Sequence, residues 1–197
     1  MNNTNPFIYS DDNKRYHTLN YYNKSSFNSK VFKAVIDAGF TCPNKDGTKG
    51  TGGCIYCMGG SGYFTEKSDG EIYDSVKRQL AAEKERIYKK HPNSLITAYF
   101  QANTNTYAPV ATLKEAYTAA LDFGVHGISI GTRADCLPDD VIALLCDINS
   151  KTRLTVELGL QTITINQHKS STDATPMTSF WRATVNCKNP AYAPAFI

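Results

Sequence analysis

A strand, a helix and a second strand are predicted in residues 95–132, which read LITAYFQANTNTYAPVATLKEAYTAALDFGVHGISIGT. The apolar runs at 95–100 and 127–131 have the length and composition of buried strands. Between them, segment 112–123 carries apolar residues at helical spacing, with Thr112 as a predicted N-cap. Two strands that flank a helix through short connections predict a parallel βα unit.

The same alternation extends along the chain in both directions. Further strands are predicted at 30–38 and 153–158, and further helices at 71–90 and 138–149, with a glycine-dense loop from 39 to 70. A parallel barrel and an open doubly wound sheet both fit this order. A closed eight-stranded barrel needs about 250 residues, so a chain of 197 residues with four predicted strands is too short for a complete one. The predicted fold class is therefore α/β, with an incomplete parallel sheet of about four strands.

Composition divides the chain into three parts. Residues 1–30 are polar and aromatic and predict an irregular leader, 31–162 hold the βα units, and 163–197 differ from both. This last part has no Leu, no Gly and one acidic residue, Asp173, and no helix is predicted after the strand at 153–158. We expect an irregular tail here, either out-of-frame sequence or a disordered segment.

Overall composition excludes several classes of protein. The charged fraction of 20% and hydrophobic fraction of 41% are those of a globular domain, and a net charge of +3 is too small to imply nucleic acid. No apolar run approaches the roughly 18–20 residues of a membrane span, and the first residues do not resemble a secretory signal. Six cysteines in such a chain predict free or metal-bound thiols in a reducing cytosol, so we expect a cytoplasmic protein without a membrane partner.

Three of the cysteines lie close together in the glycine-dense loop. Cys42, Cys54 and Cys57 have the spacing C-x11-C-x2-C and directly follow the first predicted strand. Three thiolates can hold three irons of a [4Fe–4S] cluster and leave the fourth iron open. A zinc site is an equal alternative from the spacing alone, although zinc usually takes four ligands. A redox C-x-x-C pair and buried structural cysteines are the other two interpretations.

Several segments together resemble one known family. They are RYHTLNYYNK (15–24), KVFKAVIDAGFTCPNKDGTKGTGGCIYC (30–57), AYFQANTNTYAP (98–109), ISIGTRADCLPDDV (128–141) and VELGLQT (156–162). The chain resembles the YhcC-like radical S-adenosylmethionine (SAM) proteins, relatives of the radical SAM domain of the elongator catalytic subunit. The wide first gap between the cysteines, in place of the C-x3-C-x2-C spacing usual in radical SAM proteins, is typical of that family.

The resemblance implies a fold, two cofactors and a reaction. The fold is a partial radical SAM (β/α) barrel, truncated here after about residue 162. Cys42, Cys54 and Cys57 would ligate a [4Fe–4S] cluster whose open iron binds SAM. An electron from an external flavodoxin- or ferredoxin-like donor would cleave SAM to a 5′-deoxyadenosyl radical, which abstracts hydrogen from an unknown substrate. The resemblance does not imply that a truncated chain turns over.

Polar side chains follow three of the predicted strands at their carboxyl ends, where ligands of parallel α/β folds lie. We interpret them as candidate contacts to SAM, although helix capping is the alternative for any single one. The candidates are Gln101, Asn103, Asn105, Thr132, Arg133, Asp135, Glu157 and Gln161.

Two other functions remain open at the level of sequence. The first is a zinc-binding α/β domain without catalytic activity. The second is an RNA-associated module, or an enzyme with an RNA substrate, suggested by the kinship with the elongator subunit and the slight positive charge. Strong salt dependence of RNA binding would distinguish this second alternative.

Overall fold

The computed structural model describes residues 14–57, 68–159 and 195–196. Its strands are β1 Val31–Ile36, β2 Leu95–Phe100, β3 Gly127–Thr132, β4 Arg153–Leu158 and β5 Ala195–Phe196. Its helices are α1 Leu19–Phe27, α2 Ile72–Tyr88, α3 Val110–Asp122 and α4 Asp139–Lys151. The predicted α/β class is confirmed, and the strands predicted at 95–100 and 153–158 have those bounds.

All five strands are parallel and lie side by side in the order β1-β2-β3-β4-β5. In a doubly wound sheet, the order in which successive strands are added reverses at a switch point. In a barrel, each new strand lies beside the preceding one throughout. The observed order fits the barrel type of winding.

One face of the sheet forms the core with helices α2, α3 and α4. Along each long strand every second side chain is buried against these helices, as the period of two in a strand requires. The buried set from the strands is Ala34, Ile36, Ile96, Ala98, Phe100, Ile128, Ile130, Leu154 and Val156. The side chains between them lie on the opposite face, which is therefore the face available for ligands.

That opposite face is concave. Lys33 of β1 forms an ion pair with Glu157 of β4, although β2 and β3 lie between their strands. Three strand spacings separate such backbones by about 14 Å in a flat sheet, where side chains perpendicular to the sheet would not meet. The pair therefore requires a curled sheet, and this curvature fits a partial parallel barrel.

The prediction of an irregular leader is wrong for residues 19–27, which form α1. The Thr18 side chain caps this helix by accepting a hydrogen bond from the Tyr21 amide at 3.1 Å, and Asn28 ends it in the left-handed conformation with φ 49°. The sequence gives little sign of the helix because Asn23 is its one buried residue. An apolar stripe, the main signal of a helix, is therefore missing.

The predicted N-cap at Thr112 is also wrong. Helix α3 begins at Val110, with Pro109 in the N-cap position, so Thr112 lies inside the first turn. Proline has no backbone N–H, but no helix hydrogen bond is required from a residue at this position. Its fixed φ is also compatible with the start of a helix. The helix therefore begins three residues earlier than an N-cap at Thr112 would place it.

The tail prediction falls mostly on residues 160–194 and 197, which lie outside the described residues. The two residues of β5 pair in parallel with Thr155 and Val156 of β4. Within the described ranges, none of the helices has both the length and the apolar character needed to cross a membrane.

Candidate iron–sulfur and cofactor site

The cysteine loop leaves the carboxyl end of β1 and folds back on itself. The amides of Lys45 and Asp46 both donate to the Cys42 carbonyl, at 2.8 and 3.1 Å. The amides of Lys49 and Gly50 donate to the Pro43 carbonyl, at 2.8 and 3.1 Å. These turns satisfy backbone groups locally, so residues 42–50 are held in place without belonging to the sheet.

Asn44 links the two halves of this loop. Its side chain is 1% exposed, and its Nδ2 donates to the Cys54 Sγ at 3.0 Å. Its carbonyl accepts from the Gly53 amide at 2.9 Å. Gly53 has φ 80°, a conformation that glycine adopts without strain. The sequence analysis missed Asn44, although the Cys-Pro-Asn sequence places it two residues after the first cysteine.

None of the three loop cysteines forms a disulfide, and each has partial solvent access. The Cys57 amide donates to the Cys54 carbonyl at 2.8 Å, which forms a turn between this pair. Ile55, inside the turn, is 71% exposed. Among residues 14–57, 68–159 and 195–196, no three His, Cys, Asp or Glu side chains are grouped closely enough to hold a metal ion. The structure therefore places the three cysteines on one loop without bringing their sulfurs together into a ligand group, and it gives the sulfur of Cys54 a hydrogen bond from the Asn44 amide.

The remaining described cysteines have a different environment. Cys136 is buried, and burial raises the pKa of its thiol to about 12, with the Asp135 charge adding to the effect. Burial also raises the pKa of Cys146 on α4. Both residues lie outside the cysteine loop, Cys136 after β3 and Cys146 on α4.

Asn103 connects the carboxyl end of β2 to the cysteine loop. Its Nδ2 donates to the Phe40 carbonyl at 2.9 Å, and its Oδ1 accepts from the Lys45 Nζ at 2.7 Å. Its backbone has φ 63°, which is uncommon for a residue with a side chain. Gln101 is also a residue that follows β2. It lies two positions before Asn103 and is partly buried.

Asn105 and Thr132 are both buried, whereas a residue that contacts a ligand directly would be expected to have an exposed polar group. Asn105 Nδ2 donates to the carbonyls of Phe100 at 3.0 Å and Gly131 at 2.9 Å, so the side chain joins the ends of β2 and β3. The Thr132 hydroxyl lies 2.6 Å from the Thr106 hydroxyl. These contacts make both residues supports for the strand ends.

Arg133 and Asp135 form a two-point ion pair after β3. Arg133 Nε and Nη2 donate to the two carboxylate oxygens of Asp135, each at 2.9 Å. Lys49 of the cysteine loop also pairs with Asp135, whose side chain is 4% exposed. Burial alone raises the pKa of the Asp135 carboxyl, but the hydrogen bonds and charges of Arg133 and Lys49 outweigh it and hold the pKa below its ordinary value. Asp135 therefore ties the cysteine loop to β3.

Glu157, on the concave face near the end of β4, belongs to a third polar group. Its Oε2 accepts from the Tyr99 hydroxyl at 2.9 Å, and its Oε1 pairs with Lys33, whose Nζ lies 3.9 Å from the centre of the Tyr99 ring. Gly131 has no side chain to separate Tyr99 from Glu157: a Cβ built there would lie 3.9 Å from the Tyr99 hydroxyl. The sequence analysis missed Lys33 and Tyr99, although a lysine inside the apolar strand at 30–38 was a usable signal. Gln161 lies outside the described residues.

A cavity of about 910 Å³ adjoins the cysteine loop. The loop contributes Pro43 and Lys49, and the first turns of α3 and α4 form part of the opposite wall. Asp135 and Cys136 also line it. A volume of this order accommodates a small-molecule ligand.

Replacing Asp135 by asparagine tests the ion pairs that its carboxylate forms with Arg133 and Lys49. We expect Asp135→Asn to lower the free energy of unfolding by about 1–3 kcal/mol at pH 7, because Arg133 and Lys49 lose their charged acceptor. The folded-state pKa lies below the ordinary value of 3.8, so this contribution is present above that value and lost as pH falls through the folded pKa. Urea unfolding of both proteins between pH 7 and pH 3 should show their difference shrinking.

The matched control is Asp147→Asn. Asp147 pairs with Lys151 on the exposed surface of α4, and such pairs contribute about 0–1 kcal/mol. Equal effects of the two substitutions, or a difference independent of pH, would contradict the assigned role of Asp135.

Comparison with known proteins places the chain among relatives without an assigned activity. No protein-family model matches it. It is 49% identical over 165 residues to the uncharacterized protein YtqA of Bacillus subtilis, covering 83% of this chain and 50% of that protein. It is 38% identical over 138 residues to the protein YhcC of Escherichia coli K12, covering 69% of this chain and 42% of that protein. An uncharacterized protein of Methanocaldococcus jannaschii is 34% identical over 149 residues, covering 72% of this chain and 43% of the relative.

The chain spans about half the length of the curated relatives it matches. Similarity at 49% and 38% identity indicates common descent for the matched residues. The names of these relatives state no substrate, cofactor or reaction.

Proposed function

We propose that this chain is the cysteine-bearing part of a radical SAM iron–sulfur protein. The observation that carries the proposal is the loop after β1, which carries the thiols of Cys42, Cys54 and Cys57, none of them in a disulfide. Asn44 donates a hydrogen bond to the sulfur of Cys54, and hydrogen bonds to sulfur are among the contacts by which proteins tune iron–sulfur clusters. The loop leaves the carboxyl end of a parallel strand, the edge at which α/β folds bind ligands.

The three thiolates would hold three irons of a [4Fe–4S] cluster and leave the fourth iron for the amino and carboxylate groups of SAM. When bound, this pair of cofactors supplies one-electron cleavage of SAM to a 5′-deoxyadenosyl radical. The protein's contribution is to hold both cofactors in place and to exclude water. The reducing electron would come from a flavodoxin- or ferredoxin-like donor.

The residues around the loop are suited to positioning a polar cofactor. Arg133 and Asp135 hold one another in a fixed geometry beside the loop, and Lys49 joins the loop to them. Glu157 is oriented on the concave face by Tyr99 and Lys33. Each is a candidate contact for the carboxylate, amino or ribose hydroxyl groups of SAM, with Gln101 and Asn103 at the adjacent strand end. Asn105 and Thr132 would support these contacts from below.

Anaerobic reconstitution with iron and sulfide tests the proposal. We expect about four irons and four sulfides per chain, and an EPR signal after reduction that changes on addition of SAM. Reductive release of 5′-deoxyadenosine would then show cleavage of SAM. Binding of a single zinc ion in competition with iron, or an iron-loaded protein whose EPR signal is indifferent to SAM, would contradict the proposal.

A further inference from the structure

A second cavity lies on the concave face, between α1 and the sheet. Its volume is about 400 Å³, within the range of small-molecule sites. Thr97, Ser129, Thr155 and Arg153 line it from the strands, and Tyr22 and Phe27 line it from α1. The cysteine loop and the carboxyl ends of β2 and β3 do not contribute to its walls, whereas Lys33 and Glu157 of the concave face do.

Hydroxyl groups form part of the sheet side of this cavity. Ser129 on β3 is directly opposite Thr155 on β4, and Thr97 on β2 is opposite Gly127 on β3. Ser129 is 4% exposed. Serine and threonine hydroxyls both donate and accept hydrogen bonds, so this wall can bind oxygen atoms of a polar ligand. An inner face that served only for packing would carry apolar residues here.

Arg153 makes the cavity cationic. Its guanidinium lies 5.0 Å from the centre of the Tyr22 ring and 4.9 Å from that of Phe27, and it donates to the Tyr22 hydroxyl. No carboxylate among the described residues pairs with it. The other cation of the cavity wall, Lys33, is matched by Glu157. The guanidinium has five N–H donors and is oriented by the two rings, which leaves donors for a bidentate anion.

His126 adds a buried polar atom at the same place. It lines the cavity, and its Nε2 is buried with no hydrogen-bond partner in the described part of the chain. Its ring packs edge-on against Phe27, with 4.4 Å between the ring centres. A buried nitrogen without a partner costs free energy, and a polar ligand group in the cavity would remove that cost.

We propose that this cavity binds a small organic anion, with a carboxylate or phosphate group held by Arg153 and by the hydroxyls of Ser129 and Thr155. The ring of His126 forms the adjoining wall of the cavity. A ligand bound there would change the surroundings of the imidazole, so the His126 ring can report on binding. This site is separate from the cysteine loop and does not depend on the proposed iron–sulfur chemistry.

NMR titration of the full 197-residue chain tests the site, with the imidazole C–H resonances of His126 as the readout. Inorganic phosphate and citrate serve as separate probes of the two anionic groups. We expect a saturable shift of the His126 resonance with at least one probe, and the stronger probe identifies the anionic group. Arg153→Gln should weaken that binding at least tenfold, because the bidentate donor is removed.

Arg86→Gln is the matched control. Arg86 lies on α2, pairs with Glu83 and does not line the cavity, so its substitution removes the same charge without touching the site. Thr155→Val provides a second variant that keeps the side-chain shape and should weaken binding severalfold even if Arg153→Gln impairs folding. Absence of a saturable shift with both probes, or equal weakening by Arg86→Gln and Arg153→Gln, would overturn the proposal.

Discussion

Replacing Cys54 by alanine is expected to remove nearly all of the iron that the reconstituted wild-type chain binds. Cys54 is the middle ligand of the proposed cluster site, and two thiolates cannot hold the cluster as three do. The substitution also takes away the sulfur that accepts from the buried Asn44 Nδ2. Iron and sulfide content, with the visible absorption of the cluster, provides the measurement.

Cys146→Ala is the control for this experiment. Cys146 lies on α4, where partial burial raises the pKa of its thiol, and it is not part of the loop. We expect wild-type iron content in this variant. Iron that persists in Cys54→Ala, or that is lost equally in both variants, would refute the assignment of Cys54 as a ligand. Circular dichroism of both variants separates loss of ligation from loss of folding.

Phe100→Ala is expected to have the largest effect on stability, a loss of about 3–5 kcal/mol in the free energy of unfolding. Phe100 is 0% exposed at the end of β2, and its ring packs edge-on against Tyr117 of α3 with centres 5.2 Å apart. Alanine would leave a cavity between sheet and helix that the surrounding residues cannot fill. The Tyr117 hydroxyl donates to the Asn105 carbonyl, so the damage should reach the end of β2.

Phe32→Ala provides the comparison for this value. Phe32 is partly buried on β1, where its ring stacks on His91 with centres 4.5 Å apart. Its smaller buried area predicts a smaller loss, since the transfer free energy scales with area. Urea unfolding monitored by circular dichroism measures both variants. A loss below about 1 kcal/mol for Phe100→Ala would contradict the core described above.

The periodicity of the chain was sufficient to predict the four long strands and three of the helices, but not the short strand β5. The segments LITAYF and RLTVEL are each bounded by polar or turn residues, so their limits as β2 and β4 were clear. Helix α1 was missed because it buries one asparagine and no apolar stripe. The start of α3 was misplaced because Pro109 begins the helix without a side-chain cap.

The sequence located the three loop cysteines, and the polar residues after the strands, by spacing alone. It could not distinguish candidate ligand contacts from supports, because that depends on burial. Asn103 and Asp135 join the strand ends to the cysteine loop, and Arg133 holds Asp135, whereas Asn105 is enclosed between β2 and β3.

The chain by itself determined the parallel βα order and the position of the thiols, because both depend on local patterns of apolar residues, glycines and cysteines. The tertiary structure alone decided which distant residues meet. Lys33 and Glu157 are 124 positions apart and come together because the sheet curls. The anionic-ligand cavity has the same origin, since Arg153 reaches Tyr22 and Phe27 only when α1 packs across the concave face. Contacts of this kind follow from curvature and packing, which no local pattern in the sequence records.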